Sequence, residues 1–192
     1  MIGRVAGIIP GGEFKIGKRE IYLSNNLDEN HFHGGIDGFD KVVWDSYIQN
    51  GKVIMTYISK DREEGYPGPL FIQVTFQLTR RNQFIVEITA NPAKPTPIAI
   101  TPHIYFNLAG HGEGPDGLKE HCLMVNADRF VVTDFETNIP TGELQDVGGT
   151  YYDLRVPRPL EKILNNVPGG GYDHTFCLTK GGAKNNITFS AR

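Results

Sequence analysis

The chain has 192 residues, a formal net charge of −3, and 39% hydrophobic against 21% charged residues. That length suits one domain or a piece of a larger one, and the apolar fraction is ample for a buried core, so most of the chain is expected to fold. The mild acidity offers no electrostatic footprint for nucleic acid or an anionic membrane, and no run approaches the roughly 20 apolar residues of a spanning helix.

Residues 1–6 carry no apolar core of signal-peptide length. Strands are expected near residues 14–23 and 42–48, and more strongly over 52–58, where β-branched and aromatic residues follow Gly51. Residues 70–78 and 83–90 alternate apolar and polar side chains, and the polar connector Thr79-Arg80-Arg81-Asn82 predicts that they pair as a hairpin with Arg80 and Arg81 at its tip. Further strands are expected near 98–104, 122–127 and 175–178, and another begins over 185–190. Helical periodicity is confined to one short turn over 160–164, after Pro159. Many short strands between Gly and Pro clusters predict an all-β sandwich or barrel of mostly antiparallel strands, in a single domain. Cys122 and Cys177 lie far apart with no metal spacing and no disulfide framework, which reads as two reduced, buried thiols of a cytoplasmic protein.

Three segments set histidine or aspartate where a strand should meet a loop: His31-Phe32-His33-Gly34-Gly35, His103 through Gly110, and Gly171-Tyr172-Asp173-His174. Imidazole titrates near neutrality, and a carboxylate accepts hydrogen bonds from hydroxyls. Each has a plain alternative. Pro102 suits a strand end or bulge that aims His103 into a cleft, but a buried histidine bonded to a backbone carbonyl fits equally. On an extended segment His31 and His33 would face the same side, yet no third ligand at recognisable spacing accompanies them, so no metal site is assigned. Asp173, after Gly169-Gly170-Gly171, is either a turn former or an acceptor for a polyol. The glycine pairs lack a phosphate-loop context, and no serine sits in a nucleophile elbow.

Together these segments resemble the aldose 1-epimerases, or galactose mutarotases. The resemblance rests on Gly3-Arg4-Val5-Ala6, Phe32-His33-Gly34-Gly35 with Gly38-Phe39-Asp40-Lys41 and Trp44, and Glu63 through Gly68. It continues through His103–Gly110, Ile139-Pro140-Thr141-Gly142, Gly149-Thr150 with Asp153-Leu154-Arg155, and Gly171-Tyr172-Asp173-His174, in family order over nearly the whole chain. It implies a galactose mutarotase-like β-sandwich that interconverts the α and β anomers of a free aldohexose such as galactose or glucose, with no cofactor, no metal and no protein partner. Ring opening needs a base at the C1 hydroxyl and an acid at the ring oxygen. By resemblance His103 is the acid, His33 contacts the sugar beside it and assists polarisation, and Asp173 anchors a sugar hydroxyl.

The departures also carry expectations. The family's Asn-Arg after Gly-Arg-Val-Ala is Gly7-Ile8 here, which removes a cationic sugar contact and speaks against a hexose phosphate substrate. Pro102 stands where Asn precedes the catalytic histidine. By resemblance, residues 1–192 are an incomplete domain, without N-terminal strands and without the C-terminal segment that bears the catalytic glutamate. The expectation is therefore little turnover from this polypeptide, with a non-catalytic sugar-binding protein as the alternative.

Overall fold

The computed structural model describes residues 1–179 and 189–191, so the strand start expected over 185–188 lies outside the described residues. The chain divides into two compact units, Met1–Ile104 and Tyr105–Arg192.

The first unit holds β1 (Ile8–Ile9), β2 (Glu13–Ile16), β3 (Arg19–Tyr22), β4 (His31–Phe32), β5 (Asp45–Gln49), β6 (Lys52–Ser59), β7 (Leu70–Leu78) and β8 (Phe84–Pro92). The last four form an antiparallel meander in the order β5-β6-β7-β8. Its alternation was legible in the sequence: Leu70, Ile72 and Val74 are fully buried on one face of β7, opposite Ser59, Tyr57 and Met55 of β6. Phe39 completes that core, with Trp44, Tyr57 and Ile88 packed against it. The expected hairpin forms, and Thr79 Oγ1 accepts the backbone N–H groups of Arg81 and Gln83 in its turn.

Two expectations change. The run near 14–23 is two strands rather than one, because β2 folds back on β3 through Gly17, whose φ of +61° suits glycine. Ile21, Leu23 and Tyr66 form a second small core there, against Ile9, Phe14 and Ile16. Residues 98–104 form no strand: only isolated bridges join Ile2 to Thr101 and Val5 to Ala99. Pro97 and Pro102 each lack the N–H that a ladder requires.

The second unit holds α1 (Gly114–Lys119), β9 (Cys122–Val125), β10 (Ala127–Thr133), β11 (Pro140–Asp146), β12 (Arg158–Pro159), α2 (Leu160–Ile163), β13 (Phe176–Leu178) and β14 (Phe189–Ala191). Two three-stranded antiparallel sheets result, β11-β10-β13 and β12-β9-β14. Val125, Ala127 and Leu154 are buried between Leu123, Ile163, Tyr172 and Phe176. The run expected as one strand over 122–127 breaks at Asn126, after Val125 donates to the Leu154 carbonyl at 2.7 Å. The helical turn after Pro159 is α2. Strand β11 went unseen because all seven of its residues are exposed and show no alternation. Helix α1 went unseen because Gly114-Pro115-Asp116-Gly117 reads as a loop, although proline is tolerated in a first helical turn. No helix among the described residues is long and apolar enough to cross a membrane.

Candidate active site

The N-terminal segment is the frame of the site in the first unit. Strand β1 pairs with β4, Ile8 opposite Phe32 and Ile9 opposite His31, and this brings Gly7 alongside His33. The strand ends at Phe32, whose N–H and carbonyl are both held by the Asn26 side chain, at 2.7 and 2.9 Å. His33 then turns into the left-handed region with φ +52°. Gly34 follows at φ +91°, and a Cβ built there would overlap the Gly3 carbonyl oxygen, so glycine is required on two counts.

The turn separates two histidines that the sequence placed on one face. His31 is fully buried. Its Nδ1 lies 2.6 Å from the Ser24 carbonyl, an acceptor only, so Nδ1 carries the proton and Nε2 accepts from the Tyr66 hydroxyl at 2.8 Å. His31 is thus a satisfied core histidine. His33 instead stacks on Phe32, with ring centroids 3.7 Å apart, and its Nδ1 accepts the Gly7 N–H at 3.0 Å.

His103 reaches the same place by another route. The segment before it is tied to the N-terminus by hydrogen bonds from Ile2 and Ala6 to the carbonyls of Thr101 and Ala99, each 2.8 Å. After Pro102, His103 also adopts φ +52°, and its N–H donates to Thr101 Oγ1 at 3.2 Å. The two imidazoles meet edge to face, centroids 5.2 Å apart and planes at 78°. Two non-glycine residues held at positive φ with their rings together is strain of the kind that concentrates at functional sites. Burial, and then the neighbouring His103, hold the His33 imidazole below its ordinary range, so it stays neutral at neutral pH.

Polar side chains from the Gly3–Ala6 and Glu63–Gly68 segments fix this frame. The Glu64 carboxylate accepts the backbone N–H groups of Ile36 and Asp37 at 3.0 and 2.7 Å and the Ser24 hydroxyl, which pins the loop just after His33. Arg4 is almost completely buried, and among the described residues no carboxylate is in hydrogen-bond contact with it. It donates instead to Ser59 Oγ at 3.0 and 2.8 Å, to the carbonyls of Pro67 and Lys60 at 3.1 and 2.9 Å, and to Thr96 Oγ1 at 3.3 Å. Its guanidinium also faces the Tyr66 ring at 5.6 Å. Burial lowers the Arg4 pKa from its ordinary value, while Glu63 and Asp61 work the other way.

Asp173 belongs to the second unit. It is exposed on the approach to β13, and its N–H donates to Nδ1 of His174 at 3.2 Å. The neighbouring Tyr152, Tyr172 and His174 rings cluster beside it, Tyr152 and His174 at 4.4 Å. No group of three or more candidate metal ligands occurs among the described residues.

A frame of mostly antiparallel strands that holds two neighbouring imidazoles defines a candidate proton-transfer site. The family model for aldose 1-epimerase matches residues 1–191, and the chain belongs to that family. It is 43% identical to the galactose mutarotase of Homo sapiens over 178 residues, which is 93% of this chain and 51% of that protein. It is 34% identical to the aldose 1-epimerase of Escherichia coli (strain K12), over 95% of this chain and 54% of that one. Among solved structures, galactose 1-epimerase from Lactobacillus acidophilus NCFM matches with a TM-score of 0.83 at 29% identity, covering all of this chain and 57% of that one. The chain spans about half the length of the curated relatives it matches.

Proposed function

We propose that this chain supplies the histidine part of an aldose 1-epimerase site, which opens and recloses the ring of a free aldohexose such as galactose or glucose. The observation that carries this is the His33–His103 pair, 5.2 Å apart, in a chain of that family. His103 is assigned as the acid that protonates the ring oxygen as the C1–O bond breaks. His33 is assigned as its neighbour on the sugar, and Asp173 as an acceptor for a sugar hydroxyl. The exposure of His103 and Asp173 supports contact with a small neutral ligand. Ring opening also needs a base at the C1 hydroxyl, and none of the residues named here is assigned to it. Because the family match runs unbroken through residues 1–191, both units are read as parts of one such domain. The free thiols of Cys122 and Cys177 support a reducing, cytoplasmic setting.

The test pairs polarimetry of α-D-galactose and α-D-glucose with an NMR titration of the imidazoles by the same sugars. Saturable shifts of the His33 and His103 signals are expected. Little anomerisation above the solvent rate is expected from this chain, and any that is measured should fall about a hundredfold to ten-thousandfold in His103→Ala, the usual worth of one acid or base. Imidazoles that ignore both sugars, or anomerisation that survives His103→Ala, would overturn the assignment.

A further inference from the structure

We propose that Gly7 is a positioning residue whose backbone N–H locks His33 as the neutral Nε2–H tautomer, making it a fixed hydrogen-bond donor to a sugar oxygen rather than a proton carrier. The hydrogen bonds force this. Gly7 holds His33 at two points: its carbonyl accepts the His33 N–H at 3.0 Å, and its own N–H points at His33 Nδ1, also at 3.0 Å. An amide N–H can only donate, so Nδ1 must present its lone pair, and the ring proton of the neutral imidazole then sits on Nε2. Protonation would have to occur at Nδ1, the only nitrogen with a lone pair, and that site is taken.

His31, two residues away, shows the same logic with opposite sign. A carbonyl at its Nδ1 forces the Nδ1–H form and leaves Nε2 as an acceptor. The two histidines of one short motif are therefore held in opposite tautomers by what faces Nδ1. Burial and the nearby His103 disfavour the His33 cation as well. Proton transfer is left to His103, and His33 polarises by a neutral hydrogen bond, which needs no proton movement on that ring.

Gly7 suits the task conformationally. It sits at φ +95°, and a Cβ there would meet nothing within 4 Å, so alanine acts through backbone strain on the clamp and not through a clash.

The donor role toward sugar rests on the proposed function, whereas the tautomer lock is a property of the chain alone, and the experiment separates them. In the 15N-labelled chain, with His33→Gln assigning the signals, a through-hydrogen-bond N–N correlation should connect the Gly7 amide nitrogen to His33 Nδ1. The Nε2 nitrogen should carry the proton near neutral pH. Gly7→Ala should erase the correlation, raise the His33 titration midpoint toward its ordinary value, and weaken galactose binding about three- to tenfold, the worth of one hydrogen bond. Gly17→Ala, a positive-φ glycine in the β2–β3 turn, should leave the His33 signals unchanged. A proton on Nδ1, or no correlation in the parent chain, overturns the lock whether or not Gly7→Ala folds. A lock that is present while galactose leaves Nε2–H untouched overturns the sugar contact alone.

Discussion

Arg4→Met tests whether a buried guanidinium bonded, among the described residues, to uncharged oxygens holds the frame of the site. Of its acceptors, Ser59 Oγ and the Pro67 carbonyl are buried and close and the Ser59 carbonyl, also buried, is only a long contact at 3.4 Å, whereas the Lys60 carbonyl and Thr96 hydroxyl lie in part-buried contacts that water can replace. Two buried orphans at about 1–3 kcal/mol each make a loss of about 2–6 kcal/mol. Methionine relieves the cost of burying the charge and fills much of the stem's volume, which places the net effect in the lower half of that range. At a urea slope of about 1–3 kcal/mol per molar, the unfolding midpoint should drop by on the order of 1–2 M. The assay is direct, because the chain's one tryptophan, Trp44, packs with Phe39 and Tyr57 in the first unit and reports its unfolding. Adding Ser59→Ala removes one orphan and should recover part of the loss. A midpoint unmoved by Arg4→Met, or effects of the two substitutions that simply add, would refute the network as the source of stability.

Gly34→Ala should both destabilise the chain and shift the His33 signals, since the added methyl collides with the Gly3 carbonyl at φ +91°; unchanged His33 resonances would contradict the close approach. Glu64→Ala releases the exposed N–H groups of Ile36 and Asp37 to water, so hydrogen exchange at those two amides should accelerate and stability fall by about 0.5–1.5 kcal/mol, with retained protection counting against the clamp. His31, His33 and His174 are all held below the ordinary histidine value, chiefly by burial. The unfolded chain therefore binds more protons just below the ordinary value of 6.5, and stability present above that pH is lost as pH falls through the lower folded values. Urea midpoints should decrease from pH 7.5 to 5.5, less steeply in His31→Phe, and a rise on acidification would contradict the sign.

Strand β7 was readable because it is buried on one face: residues 70, 72 and 74 repeat apolar side chains at period two. Strand β11, exposed throughout, had no such constraint and left no pattern. Within the site, His33 and His103 stood out through their residue type and neighbouring glycine or proline. Gly7, Glu64 and Arg4 lie in or beside segments that carry the resemblance, but their partners were not legible, because each acts on residues far along the chain: Gly7 on His33, Glu64 on residues 36–37, and Arg4 on Ser59 and Pro67.

The sequence by itself determined the all-β character, the family and the candidate histidines, since burial periodicity and residue chemistry are written locally. Residue chemistry alone could not tell His31 from His33, and only the family resemblance set His33 apart. That difference is tertiary: a carbonyl meets Nδ1 of one and an amide N–H meets Nδ1 of the other. Which backbone group arrives there is decided by the pairing of β1 with β4 and the bend after Phe32, and two imidazoles of identical chemistry become a structural strut and a fixed donor.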